Sequence, residues 1–170
     1  MIIIPVEKKI DWRRPPVVLI TLVVLNLLIF AFYQTGDDEL LYEAAETYFE
    51  YDLLETEWRA FRKYRESTEL RYEIKKTDED AIFYIVSDVG FNNFMAEQGY
   101  HYIPSQERES WRLARQHVEQ ISSRISTNAL GFHTDKITVL QLFTSQFLHG
   151  DFMHLFGNMV LLVLVGIAVE

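Results

Sequence analysis

Residues 149–170 read HGDFMHLFGNMVLLVLVGIAVE, and they decide the fold expected of this 170-residue chain. From Phe152 to Val169 the stretch holds 18 residues without a charged side chain, enough for a short membrane-spanning helix. His154 and Asn158 lie four residues apart, a spacing that puts two side chains on one face of a helix. Both side chains are costly in hydrocarbon, so we expect them to face protein or a water-filled cavity and to serve a function.

A second apolar run, PPVVLITLVVLNLLIFAFYQ, occupies residues 15–34 near the N-terminus. The 19 residues from Pro15 to Tyr33 carry no charge, and as a helix they would be about 28 Å long, close to the hydrocarbon thickness. A cleaved signal peptide is the competing interpretation, but its apolar core would be only about 7–15 residues long. We therefore predict a retained transmembrane helix at residues 15–34, with Asn26 in mid-span making a hydrogen bond between helices.

The charges that flank the first run predict its orientation. Four basic side chains lie in residues 1–14, whereas Asp37, Asp38 and Glu39 follow the run. The positive-inside rule then places residues 1–14 in the cytoplasm as a short head. The region that follows, residues 35–135, would lie outside the cytoplasm.

This intervening region is acidic and patterned for helices. Residues 37–136 hold 21 acidic and 12 basic side chains, which accounts for the whole net charge of −9. We predict three helices, over residues 38–76, over residues 80–98 with an interruption near Gly90, and from after Pro104 to Gly131. Asp37 and Asp38 are candidate caps of the first helix.

Apolar residues recur at helical spacing on the first and third of these helices, and we expect the two stripes to pack on one another. They are Leu41, Ala44, Tyr48, Tyr51, Trp58 and Phe61 on the first, and Trp111, Ala114, Val118, Ile121 and Ile125 on the third. A lipid-surface or partner-binding role of the stripes is the alternative. The acidic face is expected to be a solvated surface, and the alternative is that it repels anionic lipid or attracts basic substrate segments.

Composition excludes several classes of function. The net charge of −9 argues against a nucleic-acid partner. The absence of cysteine excludes disulfides, a thiol nucleophile and thiolate metal sites. His101, His117 and His133 show no metal-ligand spacing, so we expect no metal and no other cofactor.

The run FTSQFLHGDFMHLFGNMVLLVLVGIAVE, residues 143–170, resembles the second transmembrane segment of the rhomboid family of intramembrane serine proteases. The matching positions are His149, Gly150, His154, Asn158, Gly166 and Glu170. The resemblance covers residues 136–170 and, more weakly, residues 13–34. It implies that residues 136–151 lie partly in the membrane surface, although Leu140 and Gln141 replace a Trp-Arg pair that is common there in the family.

The resemblance also implies a role for each matching residue. His154 and Asn158 would donate hydrogen bonds to the negatively charged oxygen that forms during peptide-bond cleavage. His149 would orient the loop before the helix. Gly166 would let two helices approach closely, and Glu170 would bind backbone groups near the cytoplasmic end.

The sequence therefore predicts an all-α membrane protein with a rhomboid-like helical bundle. Transmembrane helices at residues 15–34 and 152–170 would be separated by a helical extramembrane insertion at residues 35–135 and a surface segment at residues 136–151. The resemblance implies a multi-pass protein of the bacterial inner membrane, in contact with lipid and with transmembrane protein substrates.

No glycine in the sequence is followed two residues later by serine, as the nucleophile of a rhomboid protease would be. We therefore interpret the chain as the N-terminal part of a longer serine endopeptidase, inactive by itself because it lacks the nucleophile and the general base. Two alternatives remain open at this point. One is a catalytically inactive rhomboid-like protein that binds membrane clients, and the other is a two-span anchor that displays an acidic docking or sensor domain.

Overall fold

The computed structural model describes residues 15–68, 74–77, 80–133 and 137–169. In these ranges the chain is helical and contains no strand, so the predicted all-α class is confirmed. The α-helices are α1 Val17–Ile29, α2 Asp37–Glu50, α3 Leu53–Ser67, α4 Ala81–Ser87, α5 Val89–Gln98, α6 Arg108–Ser122, α7 Ser126–Leu130, α8 Val139–Thr144 and α9 Phe152–Val169. A π-helix covers Phe30–Gln34, and 3₁₀-helices cover Gly99–His101 and Ser145–Phe147. The predicted head, residues 1–14, and Glu170 lie outside the described residues.

The first apolar run continues directly into the insertion. Among the described residues one helix is long and apolar enough to cross a membrane, and it runs over 34 residues from Val17 to Glu50. It comprises α1, the π-helix and α2. A second candidate is the pair of helical segments Val139–Phe147 and Phe152–Ile167. The two segments are long and apolar enough only when they are taken together, and the chain bends by 93° between them.

The predicted helix over residues 38–76 is wrong in its extent, because the chain turns between α2 and α3. Asp52 has a left-handed backbone with φ 52°, a conformation that Asp tolerates better than most residues. The other two predicted helices are interrupted as well. Asp88 separates α4 from α5, two residues before Gly90, near which the interruption was expected. The Asp88 carboxylate accepts a hydrogen bond from the backbone N–H of Phe91. Residues 123–125 separate α6 from α7.

The two predicted apolar stripes pack on one another, as expected. Ala44, Tyr48 and Phe61 meet Trp111 and Val118 in one buried core. Tyr51 is the exception, since 51% of it is exposed where the chain leaves α2. The folded-back arrangement of α2 and α3 is what lets both helices contribute to a core that a single long helix would not enclose.

A buried polar network lies inside this core. The carboxylate of Glu57, which is fully buried, accepts hydrogen bonds from Tyr48 Oη at 3.0 Å, Trp111 Nε1 at 2.7 Å and Arg115 Nη1 at 3.0 Å. Arg115 is also buried, and its other terminal nitrogen donates to Asn92 Oδ1. A charged pair is tolerated in such a place because each charge has a partner and further hydrogen bonds.

Two contacts hold helix α7, and the second of them joins the insertion to α8. Asp37 does not cap its own helix, because Gly36 holds the cap position without a side-chain bond. Instead the Asp37 carboxylate accepts hydrogen bonds from Ser126, from the backbone N–H at 2.9 Å and from the hydroxyl. Thr144 Oγ1 in α8 donates to the carbonyl of Leu130 at 2.7 Å. Helix α7 is therefore held by α2 on one side and by α8 on the other.

Candidate functional site

The site is framed by α1 and α9, which pack side by side. Gly166 of α9 lies against Leu19 of α1, and a Cβ atom at Gly166 would come within 2.6 Å of Leu19 Cδ1. Leu19 is buried, with 6% of its surface exposed. The missing side chain thus allows a close approach of the two helices, the means by which small residues bring membrane helices together.

At the other end of α1, Gln34 holds the loop that precedes α9. Its side-chain nitrogen Nε2 donates to the carbonyl oxygen of His149 at 2.8 Å, and its Oε1 accepts from the His149 backbone N–H at 3.0 Å. Both residues are buried. One side chain therefore satisfies both backbone groups of a residue that lies in no helix or strand, where those groups would otherwise lack partners.

A change of helix type precedes this contact. The turn Phe30–Gln34 is a π-helix, in which one extra residue is accommodated per turn, and such turns are frequent at functional sites. Thr35 Oγ1 donates to the carbonyl of Phe30 at 3.2 Å and also to that of Ala31. The wider turn leaves Gln34 buried against the loop, whereas Phe32 and Tyr33 beside it are exposed.

His149 and His154 lie close together at the start of α9. Their ring centroids are 5.5 Å apart and the rings meet edge to face. His149 Nδ1 is 3.2 Å from the carbonyl oxygen of Phe147. His149 is buried, whereas His154 is exposed. The Asp151 carboxylate accepts a hydrogen bond from the backbone N–H of His154 at 2.8 Å, so Asp151 caps the first turn of α9.

His154 and Asn158 are one helical turn apart on α9, and both are exposed in the described part of the chain. Their separation on a continuous helix puts both side chains on one face. Asn158 also lines a cavity of about 420 Å³ together with Asn26, Phe147 and His149. His154 is not part of that lining, so the structure brings His154 to His149 and brings Asn158 to the cavity.

Asn26 behaves differently from the sequence expectation. Its Nδ2 donates to the carbonyl of Leu22 in its own helix at 2.8 Å, rather than to another helix. Its Oδ1 is buried and has no hydrogen-bond partner among the described residues. Asn26 itself is 5% exposed.

Three residues of this site were not singled out as site residues in the sequence: Gln34, Asp151 and Asn26. An Asp directly before an apolar helical run is a recognised start signal, so Asp151 could have been found. Gln34 binds backbone groups only, and no sequence pattern indicates such a contact. Across the described ranges no cluster of three or more His, Cys, Asp or Glu side chains could hold a metal ion.

The C-terminal part of the chain matches a known family. Residues 136–170 match the family model of the Rhomboid domain. This match covers the loop held by Gln34 together with His149, His154 and Asn158. No curated protein and no solved structure matches the chain.

Proposed function

We propose, from the match of residues 136–170 to the family model of the Rhomboid domain, that this chain is the N-terminal part of an intramembrane serine endopeptidase that cleaves transmembrane protein substrates. In this proposal the protein is a multi-pass protein of the bacterial inner membrane with its N-terminus in the cytoplasm. The apolar helix from Val17 and the bent apolar pair ending in α9 support the membrane setting.

The chemistry assigned to this chain is stabilisation of the oxyanion. Attack of a serine on a peptide carbonyl places negative charge on the carbonyl oxygen, and fixed donors aimed at that oxygen lower the barrier. The imidazole of His154 and the carboxamide of Asn158 are such donors. Side chains one turn apart on a helix can approach a single oxygen from two directions.

The observation that carries the proposal is the exposed face of α9 that His154 and Asn158 share. The elements around this face are fixed, because Asp151 caps the helix and Gln34 holds the adjoining loop at His149. A donor contributes to catalysis only if it is held in place before the charge develops. The nucleophile and general base that the proposal requires lie outside this sequence, which has no Gly-x-Ser.

The experiment is a cleavage assay of the complete gene product in lipid against a model transmembrane substrate, comparing wild type with His154→Ala and Asn158→Ala. Each substitution is expected to lower kcat about tenfold or more, as removal of an oxyanion donor does, with thermal unfolding unchanged. Val160→Ala, an exposed position on the same helix, is the matched control and should cleave like wild type. Full activity in both test variants, or no cleavage by the wild-type protein, would contradict the proposal.

A further inference from the structure

Two contacts fix how α1 and the α9 region lie beside each other. Leu19 meets Gly166 at one end, and Gln34 meets His149 at the other. The two segments are therefore antiparallel. Asn26 lies seven residues after Leu19 in α1. Met159, the residue next to Asn158, lies seven residues before Gly166 in α9. Since seven residues are about two helical turns on either helix, Asn26 and Asn158 lie at about the same depth in the membrane.

The cavity between the helices contains both residues. Asn26 and Asn158 line the same space of about 420 Å³, whose other walls include the apolar side chains of Leu22, Leu162 and Val165. The two carboxamides share this space with Gln146 and His149, and of the two Asn26 is buried whereas Asn158 is exposed.

Asn26 contributes an acceptor that its own helix does not satisfy. The carbonyl oxygen of Leu22 can only accept a hydrogen bond, so the Asn26 side-chain nitrogen must be the atom that faces it. The Asn26 side-chain oxygen then has no partner within its own helix. This oxygen is buried and has no partner in the described part of the chain. A buried acceptor without a donor is unfavourable, which favours a donor reaching it from inside the cavity.

We infer that Asn26 is a positioning residue for Asn158. Its Oδ1, which has no partner among the described residues, accepts a hydrogen bond from the Asn158 side-chain amide once the exposed Asn158 side chain turns towards it. A carboxamide has two N–H donors, so this bond leaves the second N–H of Asn158 for the oxyanion and fixes the direction in which it points. The inference rests on the proposed function for its catalytic part, whereas the pairing of the two side chains stands independently of it.

The test is a double-mutant cycle in the complete protein with Asn26→Leu and Asn158→Ala. Asn26→Leu alone is expected to lower kcat about fivefold, as loss of one hydrogen bond in the site would, with KM unchanged. In the Asn158→Ala background the same change is expected to lower kcat no further. The cycle is repeated with Asn26→Ala in place of Asn26→Leu. Because alanine adds no bulk, a loss that appears only with leucine is assigned to poor packing of the leucine side chain. Thr21→Val is the control, because Thr21 is exposed on α1 and bonds only within that helix.

The thermal unfolding of the same four proteins separates the two claims. If Asn26 and Asn158 are paired, the losses of stability of the single variants are not additive. Additive losses in unfolding would overturn the pairing whatever the cleavage assay gives. Non-additive unfolding with additive losses of kcat would overturn the positioning role. If wild type cleaves no substrate, the proposed function and the positioning role both fail, and the unfolding cycle alone decides the pairing.

Discussion

Gln34 and His149 are 115 residues apart in the sequence and are joined by two hydrogen bonds between one side chain and one backbone unit. The contact closes the insertion at its base, because it brings the end of the first apolar helix to the start of the loop before α9. Closing a loop costs conformational entropy that grows only slowly with its length, so a large insertion is tolerated.

Gln34→Ala is predicted to destabilise the loop before α9. The substitution leaves the buried N–H and C=O of His149 without partners, which costs about 2 kcal/mol in the free energy of unfolding. The local consequence is faster hydrogen exchange at the His149 amide, measured by mass spectrometry on peptides from residues 145–151. Gln120→Ala, at an exposed position of α6, should change neither quantity. Equal exchange in Gln34→Ala and wild type would show that another group holds the loop.

Asp151→Ala is predicted to weaken the first turn of α9. The loss of a side-chain cap costs about 1 kcal/mol, and Asp151→Ser should recover most of it because Ser is also a good cap. Asp80 is a suitable control, since it precedes α4 but makes no side-chain cap bond, so Asp80→Ala should cost only a few tenths of a kcal/mol. Denaturant unfolding of the complete protein in detergent measures all three. A loss for Asp80→Ala equal to that for Asp151→Ala would contradict the assignment of the cap.

The sequence predicted those features that depend on composition and on local spacing. The apolar runs, the acidic helical region between them and the stripe from Trp111 to Ile125 follow from hydropathy and helical periodicity. The turn at Asp52 was missed because apolar residues continue at helical spacing on both sides of it, and one left-handed residue leaves no mark in the pattern. Burial of Glu57 was missed for a different reason, since its partner Arg115 is 58 residues away and a single carboxylate in an acidic region indicates a solvated surface.

Gly166→Ala is predicted to destabilise the packing of α1 against α9. The new methyl group would come within 2.6 Å of Leu19 Cδ1, so Leu19 or the helix must move, at a cost of about 1–2 kcal/mol. Gly157→Ala is the matched control on the same helix, because no atom lies within 4 Å of a Cβ there. It should be neutral or stabilising by up to about 1 kcal/mol, the helix propensity of Ala over Gly.

A second substitution checks the cause of that loss. Leu19→Ala removes the atoms that the new methyl group meets, so Gly166→Ala should cost less in a Leu19→Ala background than in wild type. The measurement is the same denaturant unfolding, read as a double-mutant cycle. If the two losses are additive, the cost of Gly166→Ala arises elsewhere than at Leu19.

Arg115→Met is predicted to be among the most destabilising substitutions in the insertion. It leaves the fully buried carboxylate of Glu57 without its charged partner, which typically costs about 3–5 kcal/mol. Arg112→Met, one turn away, removes an exposed and solvent-screened pair with Glu109 and should cost far less than Arg115→Met. Unfolding is followed by tryptophan fluorescence, to which Trp111, a donor to the same carboxylate, contributes together with Trp12 and Trp58. Similar losses in the two variants would mean that the buried pair stabilises the insertion no more than the exposed pair does.

The stability of the insertion is predicted to fall at alkaline pH through Tyr48. Burial, with the Glu57 carboxylate beside it, holds the pKa of the Tyr48 phenol well above its ordinary value of 10.0. The folded chain therefore keeps the phenol protonated, while the unfolded chain releases its proton near pH 10. Because the folded pKa is the higher one, this contribution to stability is complete below about pH 10 and is lost as the pH rises towards the folded pKa.

The expected result is a free energy of unfolding that is level up to about pH 10 and then falls, with Tyr48 contributing at most about 1.4 kcal/mol per pH unit. Tyr48→Phe should lower stability at pH 8, because the hydrogen bond to Glu57 is lost, and should reduce the slope above pH 10. Tyr42→Phe should keep the wild-type slope, since Tyr42 is 65% exposed and lies outside the buried core. Equal slopes in the Tyr48→Phe and Tyr42→Phe variants would mean that the alkaline loss comes from other groups.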